Sequence, residues 1–584
     1  MAVPRFDAPL TRPRDEMITP TRLATPEPSF RELFTPKLVT VFREGYDLGK
    51  LRTDALAGLT VAIVALPLSM AIAVASGTSP ERGLYTAIVG GFLISALGGS
   101  RFQIGGPAGA FIVLVAATIE RHGYDGFLLA TMIAGVALLV LGFLRLGTYI
   151  KYIPHPVIVG FTAGIAVIIL ASQLRDLFGL VLAGKEPAAF LPKLTALWSA
   201  APTVHPAAAA IAAGTIGTIL LARRYRPAWP GFLIAVCLAA VASWAFSLPV
   251  ETIGTRFGGV PSAFPAPAMP PIDAAKVMEV LPAGLAMALL GGIESLLSAV
   301  VADAMSGRRH RSNCELVAQG FANIGAALFG GLCATGTIAR TATNVRAGAI
   351  GPVSGILHAL FLLAFMLVAA PLAAYIPLAA LAGILAVVAW NMAERHEFLA
   401  ILTRSRGEAL VLLATFLLTV FRDLTEGILV GVVLGSFLFM HRMAELVAVE
   451  GGPPLLDEDE ADAAGNGPGS PGREGTDREV MVYRIAGPLF FGAASTIATV
   501  FERIGQFPKI VIIDLSAVPL ADSTAAASLG RFAERAHRRG AQVFVTGATR
   551  PVRHVLLRQG LRRPVVRFAP SVADARMAAL HSGE

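Results

Sequence analysis

Two ionisable residues stand in stretches whose apolar neighbours would normally exclude them, and each has groups beside it that suit an ion. Arg340 lies in Cys333–Ile350 (CATGTIARTATNVRAGAI), with hydroxyls at Thr335, Thr337 and Thr341. A cation within a membrane costs about 2.5 kcal/mol or more, so Arg340 reads as a functional charge. The competing reading places it near an interface with its head reaching water. Glu294 falls mid-run in LAMALLGGIESLLSAVVADAM, with Ser298 one helical turn on. A carboxylate among apolar side chains can take up and release a proton. It can also hold Na⁺ together with hydroxyls and carbonyls, or simply balance Arg340; the residues leave all three roles open. A second interrupted stretch, Ser100–Ile119 (SRFQIGGPAGAFIVLVAATI), carries Gly105, Gly106 and Gly109, which let a ligand near the backbone. Pro107 in the same stretch suits a first helical turn.

These residues need a scaffold that tolerates broken backbone inside lipid. There every N–H and C=O must be paired, so irregular segments survive only where they line a protein-walled cavity. One interruption in each half of an apolar chain is the mark of a secondary transporter's substrate site. The 584 residues are 55% hydrophobic and 15% charged, which excludes an ordinary soluble protein. Apolar runs of spanning length recur from about Thr53 to Met440, and we count about fourteen of them. The interrupted stretches fall third in each set of seven, and an odd number per half inverts the second half in the membrane. As half-helices they would bring their N-termini together near the midplane, where unpaired N–H groups and the positive dipole ends favour an anion.

The net charge of +8 sits in short clusters between spans, such as Arg223, Arg224 and Arg226 or Arg308, Arg309 and Arg311. That is the positive-inside pattern rather than a nucleic-acid surface, and it places the N-terminus in the cytoplasm. Residues 1–52 read as a cytoplasmic tail, 53–442 as the membrane domain, 443–478 as a flexible acidic linker and 479–584 as a small α/β domain. Cys237, Cys314 and Cys333 lack metal spacing and read as packing residues. No metal site, phosphate loop or nucleophile elbow is expected, hence no enzyme and no cofactor beyond a coupling H⁺ or Na⁺. His155 and His358 read as structural, the latter in a satisfied helix–helix contact. Asp303 reads as an interfacial ion pair with nearby basic residues. Rows such as Gly160–Gly164 and Gly427–Gly431 fit close helix packing.

Several long motifs in order resemble the sulfate permease (SulP) family of anion transporters: ALAGLTVAIVALPLSMAIAVASG (55–77), GLYTAIVGG (83–91), GSRFQIGGPAGAF (99–111), GGIESLLSAVVADAMSG (291–307) and ARTATNVRAGAIGPVSG (339–355). The resemblance implies a uracil-permease-like fold, fourteen spans in two inverted seven-helix repeats that form a core and a gate. It implies an anion site at Ser69, Ile72, Gly106, Pro107, Ala108, Gly109, Thr337, Ile338, Ala339, Arg340 and Thr341, with Glu294 and Ser298 for the coupling cation. IDLSAVPLADSTAAASL (513–529) resembles the family's STAS domain, in which Thr524 matches a phosphorylated serine of soluble relatives. A homodimer in the bacterial inner membrane, with a regulatory partner at the cytoplasmic STAS domain, is implied as well. GLYTA, GGSRF, AMALLGGIESLLSAVV, SNCELVAQG and VAWNM resemble the proton-coupled C4-dicarboxylate branch, so succinate or fumarate is the expected substrate. Sulfate or bicarbonate with H⁺ or Na⁺ is the alternative, and an uncoupled anion channel a further one.

Overall fold

The structure, a computed structural model, describes residues 29–149, 154–184, 186–187, 189–226, 229–422, 424–450, 480–492 and 508–581. The proline-rich start of the tail and the acidic stretch 457–477 lie outside the described residues. Among those described, eight helices are long and apolar enough to cross a membrane. The elements follow the order of the apolar runs: α1 (Leu48–Ala75), α2 (residues 80–97, with a π-helical turn at Thr86–Gly90), β1 (Gly105–Gly106), α3 (Ile112–Phe143), α4 (His155–Phe178), α5 (Pro206–Tyr225), α6 (Gly231–Ala245), α7 (Ala274–Ser306), α8 (Ser312–Leu328), β2 (Thr335–Gly336), α9 (Ile338–Arg346), α10 (Val353–Ala373), α11 (Leu378–Met392), α12 (Arg406–Phe421) and α13 (Leu424–Glu445). This order is consistent with fourteen crossings once α3 is divided at Gly123, where φ of +72° breaks the helix.

The chain divides into two compact units. The first comprises Met1–Lys151, Gln173–Gly184 and Ser199–Val387. Its helices approach closely at small residues, because lipid offers no hydrophobic drive to helix pairing and close backbone contact must supply it. A Cβ on Gly58 of α1 would collide with Ser354 O of α10, and one on Gly135 of α3 would lie 2.7 Å from Gly320 O of α8. The two interrupted stretches meet here as an antiparallel two-stranded ladder, with Gly105 opposite Gly336 and Gly106 opposite Thr335. Each short strand leads into a helix, β1 through a 3-10 turn into α3 and β2 directly into α9. The end of the tail is anchored rather than free. Arg311 Nη1 donates to Thr35 O at 2.7 Å, and Lys37 N to Gly98 O at 2.9 Å.

The second unit comprises Tyr152–Ser172, Lys185–Trp198 and Val388–Glu584. Gly160 and Gly164 of α4 pack on Leu412, Thr415 and Thr419 of α12, and Gly427 and Gly431 of α13 press on Thr415 and Thr419, as their spacing suggested. Past α13 comes a five-stranded sheet in the order β3 (Ala448–Glu450), β4 (Val480–Ala486), β5 (Ile510–Ala517), β6 (Gln542–Thr546) and β7 (Arg567–Ala569). Strand β3 lies in the stretch expected to be linker, yet it pairs antiparallel with β4. The remaining pairs are parallel. Alternation along β5 sends Val511, Ile513 and Leu515 into one core with α14 (Ser523–Arg538) and α15 (Arg550–Arg558). Ile512 points to the other face, against α16 (Val572–Leu580).

Candidate functional site

The β1–β2 ladder places Arg340 in the interior of the first unit. The residue is 2% exposed, so its head does not reach the surface of that unit. Nη2 donates to Ser69 Oγ on α1 at 3.1 Å and to Pro107 O at 3.3 Å. Nε and Nη1 are buried with no partner among the described residues. Gly106 is what lets the guanidinium approach. A Cβ there would collide with Arg340 Nη1, and φ of +155° is itself uncomfortable for other residues. The first-turn N–H groups of α9 belong to no helical ladder. Ile338 is 38% exposed and Ala339 is exposed too, so this helix start can be reached from outside the packed interior. Gly109, at the corresponding start beyond β1, is half-buried.

The expected hydroxyls do two different jobs. Ser69 touches the guanidinium, whereas Thr337 and Thr341 hold backbone in place and Ser298 holds the Thr341 hydroxyl. Thr341 Oγ1 accepts from Ile104 N at 3.1 Å and from Ser298 Oγ at 3.1 Å. Thr337 spends both its N–H (3.0 Å) and its hydroxyl (3.2 Å) on Ile104 O. Ile72, Pro107 and Ala108 are buried and offer hydrocarbon around the ladder. Glu294, on α7, is half-buried, with Oε2 sealed and unpaired. Glu294 and Arg340 act on each other electrostatically without a direct ion pair among the described contacts.

Sequence reasoning missed two residues that build this site. Ser295 Oγ meets Thr335 Oγ1 at 2.7 Å and accepts from Gly336 N at 3.1 Å. Gln103 Nε2 donates to Ser295 O at 2.9 Å. The signal available was the pair of serines, 295 and 298, that follows Glu294. His358 corrects an expectation, for it is fully buried but neither ring nitrogen has a partner among the described groups. Asp303 pairs with His310 (Oδ2 to Nδ1, 2.7 Å) rather than with the neighbouring arginines. His155 is exposed at the start of α4. Cys314 and Cys333 are buried and Cys237 is exposed, so packing describes the first two only. Thr524 is exposed in the first turn of α14, behind an N-cap in which Asp522 Oδ1 accepts from Ala525 N at 2.8 Å.

Residues 51–415 match the sulfate permease family and residues 473–575 the STAS domain. The "Putative sulfate transporter YvdB" of Bacillus subtilis is 39% identical over 89% of this chain and 95% of its own length. The bicarbonate transporter BicA of Picosynechococcus is 32% identical over 87% of this chain and 90% of its own. Among solved structures, the transmembrane domain of a cyanobacterial BicA matches with a TM-score of 0.59 and 32% identity, covering 65% of this chain and 98% of that one. Murine solute carrier 26 member A9, an anion transporter in its inward-facing state, matches at a TM-score of 0.81 over 99% of this chain and all of that one. At 17% identity that second likeness concerns the fold alone. The architecture is therefore a multi-span helical transporter fold with a C-terminal STAS domain.

Proposed function

From the premise that the chain belongs to the sulfate permease family, we propose that it imports a small oxyanion, sulfate or bicarbonate, by cation-coupled alternating access. The observation that carries this reading is Arg340, a buried cation with two unpaired N–H groups beside a glycine strand and a helix start. An anion offers acceptors to those donors and to the first turn of α9 at once. Glu294 supplies the coupling. A proton or Na⁺ on its unpaired oxygen cancels a negative charge that acts on Arg340, so cation and anion each favour the other's binding. The relatives named as sulfate and bicarbonate transporters support inorganic anions over succinate and fumarate, which stay as competitors in the assay. We further propose a bacterial cytoplasmic membrane, a homodimer and a regulatory role for the STAS domain.

The test is uptake of labelled sulfate, bicarbonate and succinate into proteoliposomes under an inward H⁺ or Na⁺ gradient. Sulfate or bicarbonate uptake that follows one gradient, and that Glu294→Gln uncouples while leaving exchange intact, is the expected result. Gradient-driven succinate uptake with neither inorganic anion carried would move the chain to the dicarboxylate reading. Fast uncoupled anion current would make it a channel.

A further inference from the structure

Helix α8 gives no group to the anion site, yet Glu315, Gln319 and Asn323 are fully or almost fully buried and repeat every four residues along one of its faces. A polar row inside a membrane protein must find partners. Here the partners are the two segments that lead into β1 and β2. Glu315 Oε2 accepts from Gly99 N at 2.9 Å and Ser100 N at 3.1 Å, while Oε1 accepts from Gln319 Nε2 at 2.9 Å. At the other end of the row, Asn323 Oδ1 accepts from Ala334 N at 2.9 Å and from the Cys333 thiol at 3.1 Å. Its Nδ2 donates to Ala334 O and to Gln319 O, each at 2.8 Å. The Asn323 amide thus takes both backbone groups of Ala334, as a neighbouring strand would. Ala334 directly precedes the first residue of β2, and Gly99–Ser100 opens the stretch that becomes β1.

We propose that α8 is the ruler of the site: Asn323 and Glu315 are positioning residues that fix where the two short strands stand. They thereby set anion affinity and the discrimination between sulfate and bicarbonate without touching the anion. The inference deepens the transport reading above and rests on it. The chemistry of the contacts makes it specific. Aspartate at 323 keeps the acceptors but loses both donors and turns a carboxylate toward Ala334 O. Glutamine at 315 is the conservative exchange. Its oxygen still accepts from Gly99 and Ser100, and its amide N–H can be taken by Gln319 Oε1, now buried without a partner, once that amide flips. Leucine at 315 leaves two buried N–H groups unpaired.

Two measurements on the full chain in proteoliposomes test this. The first is the KM and Vmax of sulfate and bicarbonate uptake for wild type, Asn323→Asp, Glu315→Leu and Glu315→Gln, normalised to folded protein. Asn323→Asp and Glu315→Leu should raise KM about tenfold and change the sulfate-to-bicarbonate ratio, with Glu315→Gln within about twofold of wild type. The second is maleimide labelling of Cys333 with Cys237→Ser and Cys314→Ala in the background, which reads strand position without transport. Asn323→Asp should speed labelling about tenfold, since the bond to Ala334 O is lost and a carboxylate facing that carbonyl pushes the Cys333–Ala334 segment away. Unchanged KM, unchanged anion ratio and a Cys333 still protected would overturn the ruler. Wild type that carries neither anion would instead sink the transport reading, and the labelling rates would still decide the ruler.

Discussion

Arg340 lies against the β1 strand only because Gly106 carries no Cβ, which would collide with Nη1. Ser69 and Pro107 O engage one nitrogen and leave two N–H groups uncommitted. A desolvated guanidinium with donors to spare is a strong anion ligand because charge-assisted bonds gain most where water is absent. Gly106→Ala should therefore lower anion affinity about tenfold or more, as the added methyl displaces Nη1 from the strand. Isotope binding to purified protein would show this, with near-wild-type thermal stability marking the loss as local. Unchanged affinity would mean that the guanidinium has another route to the ligand.

At the scale of elements, the broken backbone was legible because lipid forbids it without a reason. Glycine and proline in Ser100–Ile119, and threonines around Arg340 in Cys333–Ile350, announced two interruptions in corresponding places. Their pairing was not legible, since strands of two residues have no period to read. Nor was β3 legible, three residues long and separated from β4 by a low-complexity stretch. Ser295, Gln103 and Asn323 looked like ordinary polar residues of helices and loops; only the fold shows that Ser295 and Asn323 pair β2 and its approach and that Gln103 pairs Ser295. Ser295→Ala should cost about 1–3 kcal/mol, because it leaves Gly336 N–H buried without an acceptor. Thermal unfolding in detergent would measure it, and no change in midpoint would mean that β2 holds itself. In the sheet, burial raises the affinity of Asp514 for its proton, but bonds from Ser516 N–H, Arg484 and Ser516 Oγ outweigh it and hold the carboxyl below its usual range. A lowered folded value means stability that is present above the unfolded value, about pH 4, and lost as pH falls through the folded one. Asp514→Asn should remove that acid-dependent part, so its midpoint should change less than wild type's between pH 6 and the acid limb near pH 3. Parallel pH curves would place the acid sensitivity elsewhere.

For the whole molecule, the distribution of site residues along the chain makes a strong demand on how the STAS domain acts. Every side chain placed at the site belongs to the first unit, which ends at Val387, and the sheet starts only at Ala448. None of those side chains comes from the STAS domain, so its influence on transport is expected to run through the rate of conformational exchange or through assembly. Changes at sites without shared partners add to within about 0.5 kcal/mol, which is roughly twofold in affinity. A chain ending after Glu445 should accordingly bind sulfate or bicarbonate within about twofold of the full chain, while its turnover and its oligomeric state are free to change. Equilibrium binding alongside initial uptake rates separates the two effects. A tenfold loss of equilibrium affinity in the shortened chain would mean that the STAS domain biases the shape of the site itself.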